Sequence, residues 1–190
     1  MENSTRQDDK TRFIVISGLM IAIATVLSYI KPFQMPQGGS ITAGSMIPIL
    51  IIGFRYGAKK GFLVGAIYGI LQAILQGYVI HPMQFILDYP LPFGLLGLSG
   101  LFANNIYNAV KNNSSKYIYI ILGTLIGIFG RFICHVLSGV IFFKEYAGAQ
   151  NPWIYSIVYN STYLIVEFII SAIILSLLWN TFEKTIFKRA

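Results

Sequence analysis

The chain has 190 residues, of which 55% are hydrophobic and 11% charged, and its mean hydropathy is +0.66. A water-soluble domain carries about 25% charged residues, so this composition excludes a soluble globular protein and leaves an integral membrane protein. The net charge of +7 does not indicate nucleic acid, because the basic residues punctuate the apolar runs and form no stripe with interleaved aromatics.

Taken in order, the apolar runs predict six membrane-spanning helices in a single domain, 1–190. A polar N-terminal tail, 1–12, shows no small-residue cleavage signal and leads into a first span over Phe13–Ile30. A loop rich in proline and glycine, Lys31–Ser40, precedes a short second span, Ile41–Phe54, in which Pro48 implies a break or tilt. The third span is Gly61–Tyr78, and the fourth is Met83–Phe102 with Pro90 and Pro92 inside it. A polar link, Asn104–Lys116, leads to the fifth, Tyr117–Phe143; the sixth is Trp153–Trp179, with tryptophan at each end as an interfacial anchor. The last residues, 183–190, form a second polar tail.

Basic residues set the orientation. Arg6, Lys10, Arg12, Arg55, Lys59, Lys60, Lys111, Lys116, Lys184, Lys188 and Arg189 fall on one side, and only Lys31 and Lys144 on the other. By the positive-inside rule both termini are expected in the cytoplasm. A multi-pass protein of a bacterial cell membrane is the expectation.

Acidic residues are concentrated in the tails, so Asp88, Glu145 and Glu167 are the only three in the apolar body. A carboxylate within a span is costly and marks a functional site by default. At helical rise Asp88 lies about 8 Å below the outer end of its span, His135 about 12 Å, Asn160 about 10 Å and Gln72 about 9 Å. Four polar side chains from four spans thus share one layer, with Tyr89, Tyr155 and Tyr159 adding aromatic faces. Each also has a plainer role: Asp88 can pair with His135 or Arg131 to hold helices together, and amides and histidines commonly bridge spans. Arg131, about 18 Å from the outer end, reads as a structural counter-ion, and Glu167 lies deeper with no partner evident.

Other signals are weak or absent. No phosphate-binding G-x-x-x-x-G-K-[ST] loop occurs, no Cys/His cluster has metal-ligand spacing, and Cys134 is an apolar core thiol. Gly18 and Ala22 on span one form a small-xxx-small pattern that admits another helix. Gly97-Leu98-Ser99-Gly100 resembles the G-x-S-G of rhomboid intramembrane proteases, with Ser99 as nucleophile and His135 as base. Depth argues against that reading, because the two differ by about 15 Å or more along the membrane normal and catalysis needs about 3 Å.

A second resemblance covers nearly the whole chain. Met35-Pro36-Gln37-Gly38-Gly39-Ser40, His81-Pro82-Met83-Gln84 running to Leu87-Asp88-Tyr89, Arg131–His135 with Ser138-Gly139, and Trp153–Ser156 with Tyr159-Asn160 together resemble the thiamine-specific substrate-binding subunits (S-components) of energy-coupling factor transporters. The resemblance implies a non-enzymatic, vitamin-capturing membrane subunit without metal or cofactor. Its partners would be thiamine, a transmembrane coupling subunit, two ATPases and membrane lipid, with no nucleic acid. It places the binding carboxylate on Asp88, followed by Tyr89, the histidine on His135, and the tyrosine and asparagine on Tyr155 and Asn160. Gln72, Gly39 and Ser40 complete the expected substrate site, with Phe143, Trp153 and Phe33 as stacking candidates, since a tryptophan of the first outer loop is missing. Gly18 and Ala22 fall on the family's patch for docking the coupling subunit. Capture of another vitamin or of a hydroxymethylpyrimidine precursor is the alternative.

Overall fold

A computed structural model describes residues 2–112 and 114–185. The chain order is α1 (Glu2–Tyr29), a hairpin of β1 (Phe33–Gln34) and β2 (Ser40–Ile41), α2 (Ile47–Tyr56) and α3 (Ala58–Gln76). Next come α4 (Pro82–Asp88), α5 (Pro90–Leu95), a 3-10 stretch (Leu96–Phe102), α6 (Ala103–Lys111), α7 (Tyr117–Phe142), a short 3-10 turn (Lys144–Ala147) and α8 (Pro152–Thr185). Five stretches are long and apolar enough to cross a membrane: Asp9–Tyr29, Ala58–Gln76, Pro82–Lys111, Tyr117–Phe142 and Pro152–Glu183. With the shorter apolar helix α2, they make an all-α integral membrane fold. Large apolar side chains such as Ile14, Ile74 and Leu177 stay exposed on its outside, as a lipid-facing surface requires.

Four segments differ in extent or continuity from the expected spans. Helix α1 begins at Glu2, so the polar segment expected as a tail continues the first span as helix. The second span is helical only from Ile47: Pro48 fits the first turn, where its missing N–H costs nothing, and residues 42–46 stay unwound. Ten residues of helix rise about 15 Å, half of a hydrocarbon core. The fourth span is broken, because Pro90 pushes Tyr89 out of helical geometry, to φ −123° and ψ −84°. The expected polar link contains a helix, α6, with only residues 112–116 connecting it to α7. Of the C-terminal tail, residues 186–190 lie outside the described residues, as do Met1 and Asn113.

Glycines bring the centre of the bundle together. A Cβ on Gly61 would stand 2.8 Å from the Cα of Gly53 and 2.9 Å from that of Gly97. Helices α2, α3 and the 3-10 stretch therefore meet backbone to backbone, the approach that small residues permit between membrane helices. Around this seam Ile49, Leu50, Ile52, Leu96, Ile120 and Leu175 are fully buried. Trp179 is also buried, its ring edge-on to Phe54 at 5.6 Å. It packs in the core and does not serve as the interfacial anchor its position suggested; Trp153, half exposed, suits that role.

Candidate functional site

The break in the fourth span places the carboxylate. Helix α4 is capped by His81, whose Nδ1 accepts from the backbone N–H of Met83 at 3.1 Å, and ends at Asp88. Asp88 therefore stands at the end of a half-helix, beside a backbone interruption, the arrangement that membrane transporters use at binding sites. Gln84, one turn earlier, donates from Nε2 to Asp88 Oδ2 at 2.6 Å. Its own Oε1 accepts from the N–H of Ile80 at 3.2 Å, and Tyr89 Oη accepts from the N–H of Tyr78 at 2.8 Å. The loop between α3 and α4 is thereby tied to the same half-helix.

Across from it, His135 Nδ1 lies 3.2 Å from Asp88 Oδ1, and Arg131 Nε lies 3.1 Å from His135 Nε2. Arginine only donates, so Nε2 of His135 is the acceptor and Nδ1 carries the proton that goes to Asp88. The imidazole is neutral in this arrangement, and it links a cation to an anion that do not touch. Arg131 also lies over the Phe93 ring, with Cζ 4.1 Å from its centroid. Its Nη1 is buried with no hydrogen-bond partner, and so is the Oγ of Ser138.

These groups line a cavity of about 430 Å³, within the size range of small-molecule sites. Its other walls are aromatic and amide. Tyr155 and Tyr159 stack at 6.0 Å with 19° between their planes, and Phe143 and Tyr146 at 6.2 Å with 25°. On α8, Asn160 donates to the carbonyl of Ser156 at 2.8 Å and accepts from Tyr163 Oη at 2.7 Å. On α3, Gln72 donates to Ser28 Oγ at 3.2 Å, joined there by Gln76 at 2.9 Å.

The loop between α1 and α2 is a hairpin over one side of the cavity. Phe33 pairs with Ile41 and Gln34 with Ser40, while residues 36–40 face the cavity. Gly38 sits at φ +95°, a conformation glycine adopts without strain. A Cβ at Gly39 would come within 2.6 Å of the Tyr163 ring, and its N–H donates to Tyr159 Oη at 3.2 Å. Glycine at 39 thus lets the hairpin lie directly on α8.

The cavity brings together Asp88, Tyr89, His135, Tyr155, Asn160, Phe143, Gln72, Gly39 and Ser40. Trp153 and Phe33 are outside its lining and about half exposed. Arg131, expected as a counter-ion away from the ligand layer, lines the cavity because its long side chain extends from one turn below His135. Gln84, Ser138, Tyr146 and Tyr163 were not singled out as site residues. Gln84 was open to discovery, since a residue four before a key carboxylate shares its helix face.

Three other predicted positions lie elsewhere. Ser99 is fully buried and donates to the Leu50 carbonyl at 3.0 Å, within the glycine seam; nothing there offers it a base. Gly18 and Ala22 are exposed on α1, and a Cβ on Gly18 would meet nothing within 4 Å. Glu167 is fully buried and has a partner after all: its Oε1 accepts from the N–H of Thr42 at 2.5 Å and from Thr42 Oγ1 at 2.7 Å. Among the described residues no cluster of His, Cys, Asp or Glu is arranged to hold a metal.

Known proteins resemble this chain in sequence and fold. A protein called Thiamine transporter ThiT from Bacillus subtilis (strain 168) is 40% identical over 169 residues, covering 86% of this chain and 88% of that one. Another of the same name, from Lacticaseibacillus paracasei, is 30% identical over 172 residues, covering 87% and 85%. Among solved structures, ThiT from Listeria monocytogenes superposes with a TM-score of 0.84 at 27% identity, over 93% of this chain and 97% of that one. The S component of a bacterial ECF transporter shares the fold, at a TM-score of 0.58 and 21% identity over 95% and 99% of the two chains. Residues 14–187 match the family described as Thiamine transporter protein, and the chain belongs to that family.

Proposed function

We propose that this chain is the substrate-binding subunit of an energy-coupling factor transporter and captures thiamine in the cavity above. The observation that carries the reading is the run Gln84–Asp88–His135–Arg131 lining one cavity together with two stacked aromatic pairs. Thiamine offers an aminopyrimidine with paired donors and acceptors, and a permanently charged thiazolium. Asp88 is held by Gln84 and His135 yet keeps lone pairs for the amino group, since a carboxylate accepts about four hydrogen bonds. Arg131 offsets its charge through His135, which favours this directional role over simple charge balance. The flat faces of Tyr155, Tyr159, Phe143 and Tyr146 suit the cationic ring. Arg131 Nη1 and Ser138 Oγ supply donors for remaining acceptors; a buried polar group left unpaired costs about 1–3 kcal/mol, so a ligand that satisfies them gains affinity.

The basic clusters at Arg55, Lys59, Lys60, Lys111 and Lys116 end the helices opposite the cavity, whose described lining holds Lys31 and Arg131 as its Lys and Arg residues. The positive-inside rule then puts the cavity at the outer face of a bacterial cell membrane and both termini in the cytoplasm. The chain carries no nucleotide-binding loop, so release inward depends on ATP hydrolysed by partners. A transmembrane coupling subunit would dock on the open Gly18–Ala22 strip, with two ATPases beneath it. The 36–40 hairpin acts as the lid.

Calorimetric titration of the purified protein with thiamine, beside Asp88→Asn, tests this reading. Heat is the suitable readout because Trp153 and Trp179 both lie outside the cavity lining. Saturable tight binding that the variant loses is expected. Tight binding in both proteins would return Asp88 to holding helices, and equal affinity for hydroxymethylpyrimidine would move the substrate to a precursor. No binding in either would end the thiamine reading.

A further inference from the structure

The buried Glu167 is not used by the cavity chemistry, yet it holds the chain that closes the cavity. It lies two turns below Asn160 on α8, and on the same face. Its Oε1 accepts both the N–H and the hydroxyl of Thr42, at 2.5 and 2.7 Å, while Oε2 has no partner. Thr42 is the residue directly after β2, where the hairpin enters the unwound stretch 42–46. Its Oγ1 also accepts from the N–H of Ser45 at 3.1 Å, and the N–H of Ala43 donates to Ile30 at 3.0 Å. Within a membrane such an unwound segment survives only if protein groups satisfy its backbone.

Two contacts from α8 therefore hold the lid: Tyr159 Oη at Gly39 on the rim, and Glu167 at Thr42 on the base. The rim contact includes a 3.2 Å bond from a half-exposed loop. The base contact is buried and doubled, so losing it would leave buried polar groups unpaired. We propose that Glu167 is a positioning residue for vitamin retention: by fixing Thr42 it keeps the hairpin seated on α8, and it never touches the ligand itself. This rests on the thiamine reading above. One carbonyl oxygen can accept both Thr42 bonds, so glutamine at 167 preserves the anchor and leucine removes it.

Two readouts test it on the full chain in nanodiscs: the thiamine dissociation rate, and the mobility of a spin label at position 37 (Gln37→Cys) without ligand. In Glu167→Leu the label is expected to loosen and dissociation to quicken at least tenfold, with association little changed; Glu167→Gln should match the parent in both. Thr42→Val, which keeps the N–H but loses the hydroxyl, should quicken dissociation about threefold and serves as the test where Glu167→Leu fails to fold. A label in Glu167→Leu or Thr42→Val as immobile as in the parent would overturn the proposal, as would unchanged dissociation. Loss of binding in Glu167→Gln would overturn it too, because it would show that the charge acts and not the anchor. The label is read without thiamine, so a parent that binds no thiamine sinks the functional reading while the anchor is still decided.

Discussion

The two halves of the bundle solve opposite problems with the same helices. Towards the basic end, Gly53, Gly61 and Gly97 bring α2, α3 and the 3-10 stretch into backbone contact, and Ser99 donates its hydroxyl to the Leu50 carbonyl. Towards the other end, α4 and α5 part at Pro90, α2 is missing its first turns, and a hairpin replaces helix. The opened space is filled by polar side chains that mostly bond to one another. Rigid backbone contact on one side is what allows broken, polar structure on the other without collapse, since an interior tolerates neither voids nor strain for free. Affinity and stability should therefore separate along the membrane normal.

The sharpest way to break that separation is to change Asp88 and watch both quantities. Asp88→Asn should cost about 2–5 kcal/mol of thiamine binding, the range for truncating one member of a buried, hydrogen-bonded charge group. Thermal stability of the ligand-free protein in detergent should fall by far less. A large loss of stability with little loss of affinity would make Asp88 a helix-pairing residue and erase the contrast. The converse variant is Gly97→Ala, whose Cβ would collide with the backbone of Gly61 and Phe62. Overpacking of this kind costs about 1–3 kcal/mol, so the melting temperature should drop while calorimetry of the protein that remains folded gives the parental affinity. A weakened affinity there would show that the seam sets the cavity's shape. Smaller again is Phe143→Ala: removing one aromatic face from a bound cation should cost about 0.5–2 kcal/mol of binding. An unchanged affinity would leave Tyr155 and Tyr159 as the stacking wall.

Much of this was legible in the sequence, and the gaps have physical causes. Counting helical rise put Asp88, His135, Asn160 and Gln72 in one layer, and all four line the cavity. The count worked because each lies within a few turns of a span's end, before errors of tilt accumulate. It left Arg131 below that layer, although its side chain lines the cavity, because rise locates a Cα and says nothing of a side chain long enough to reach the next turn. Glu167 defeated it for another reason: its partner, Thr42, is in backbone that the hydrophobic pattern assigned to a helix. The unwinding of 42–46 appears in the sequence only as Pro48 and Gly44, the latter at φ +88°, and neither residue says which carboxylate will meet the freed N–H. The glycine seam had a similar status: Gly97 and Gly100 were visible as small residues, but their partners on α2 and α3 depend on how spans are ordered in space.

Trp153 gives the mildest prediction and the cleanest check on where the cavity ends. It was expected both as an interfacial anchor and as a stacking partner, because one residue type serves both purposes: an indole is a broad apolar face with a polar edge. Only burial separates the two, and sequence does not report burial. In the structure the side chain is about half exposed, at 51%, on the first turn of α8, while two residues further on Tyr155 turns into the cavity. Helical geometry explains the difference, as residues two apart face away from each other. Trp153→Phe should therefore shift thiamine affinity by no more than about 0.5 kcal/mol, the usual range for a surface change. Its visible effect should be on emission: with Trp179 buried against Phe54, the variant leaves a single core tryptophan whose fluorescence ignores the ligand. If the substitution weakens binding tenfold, the first turn of α8 must rotate or the hairpin must draw Trp153 inward on closure, and the cavity's wall would extend beyond Tyr155.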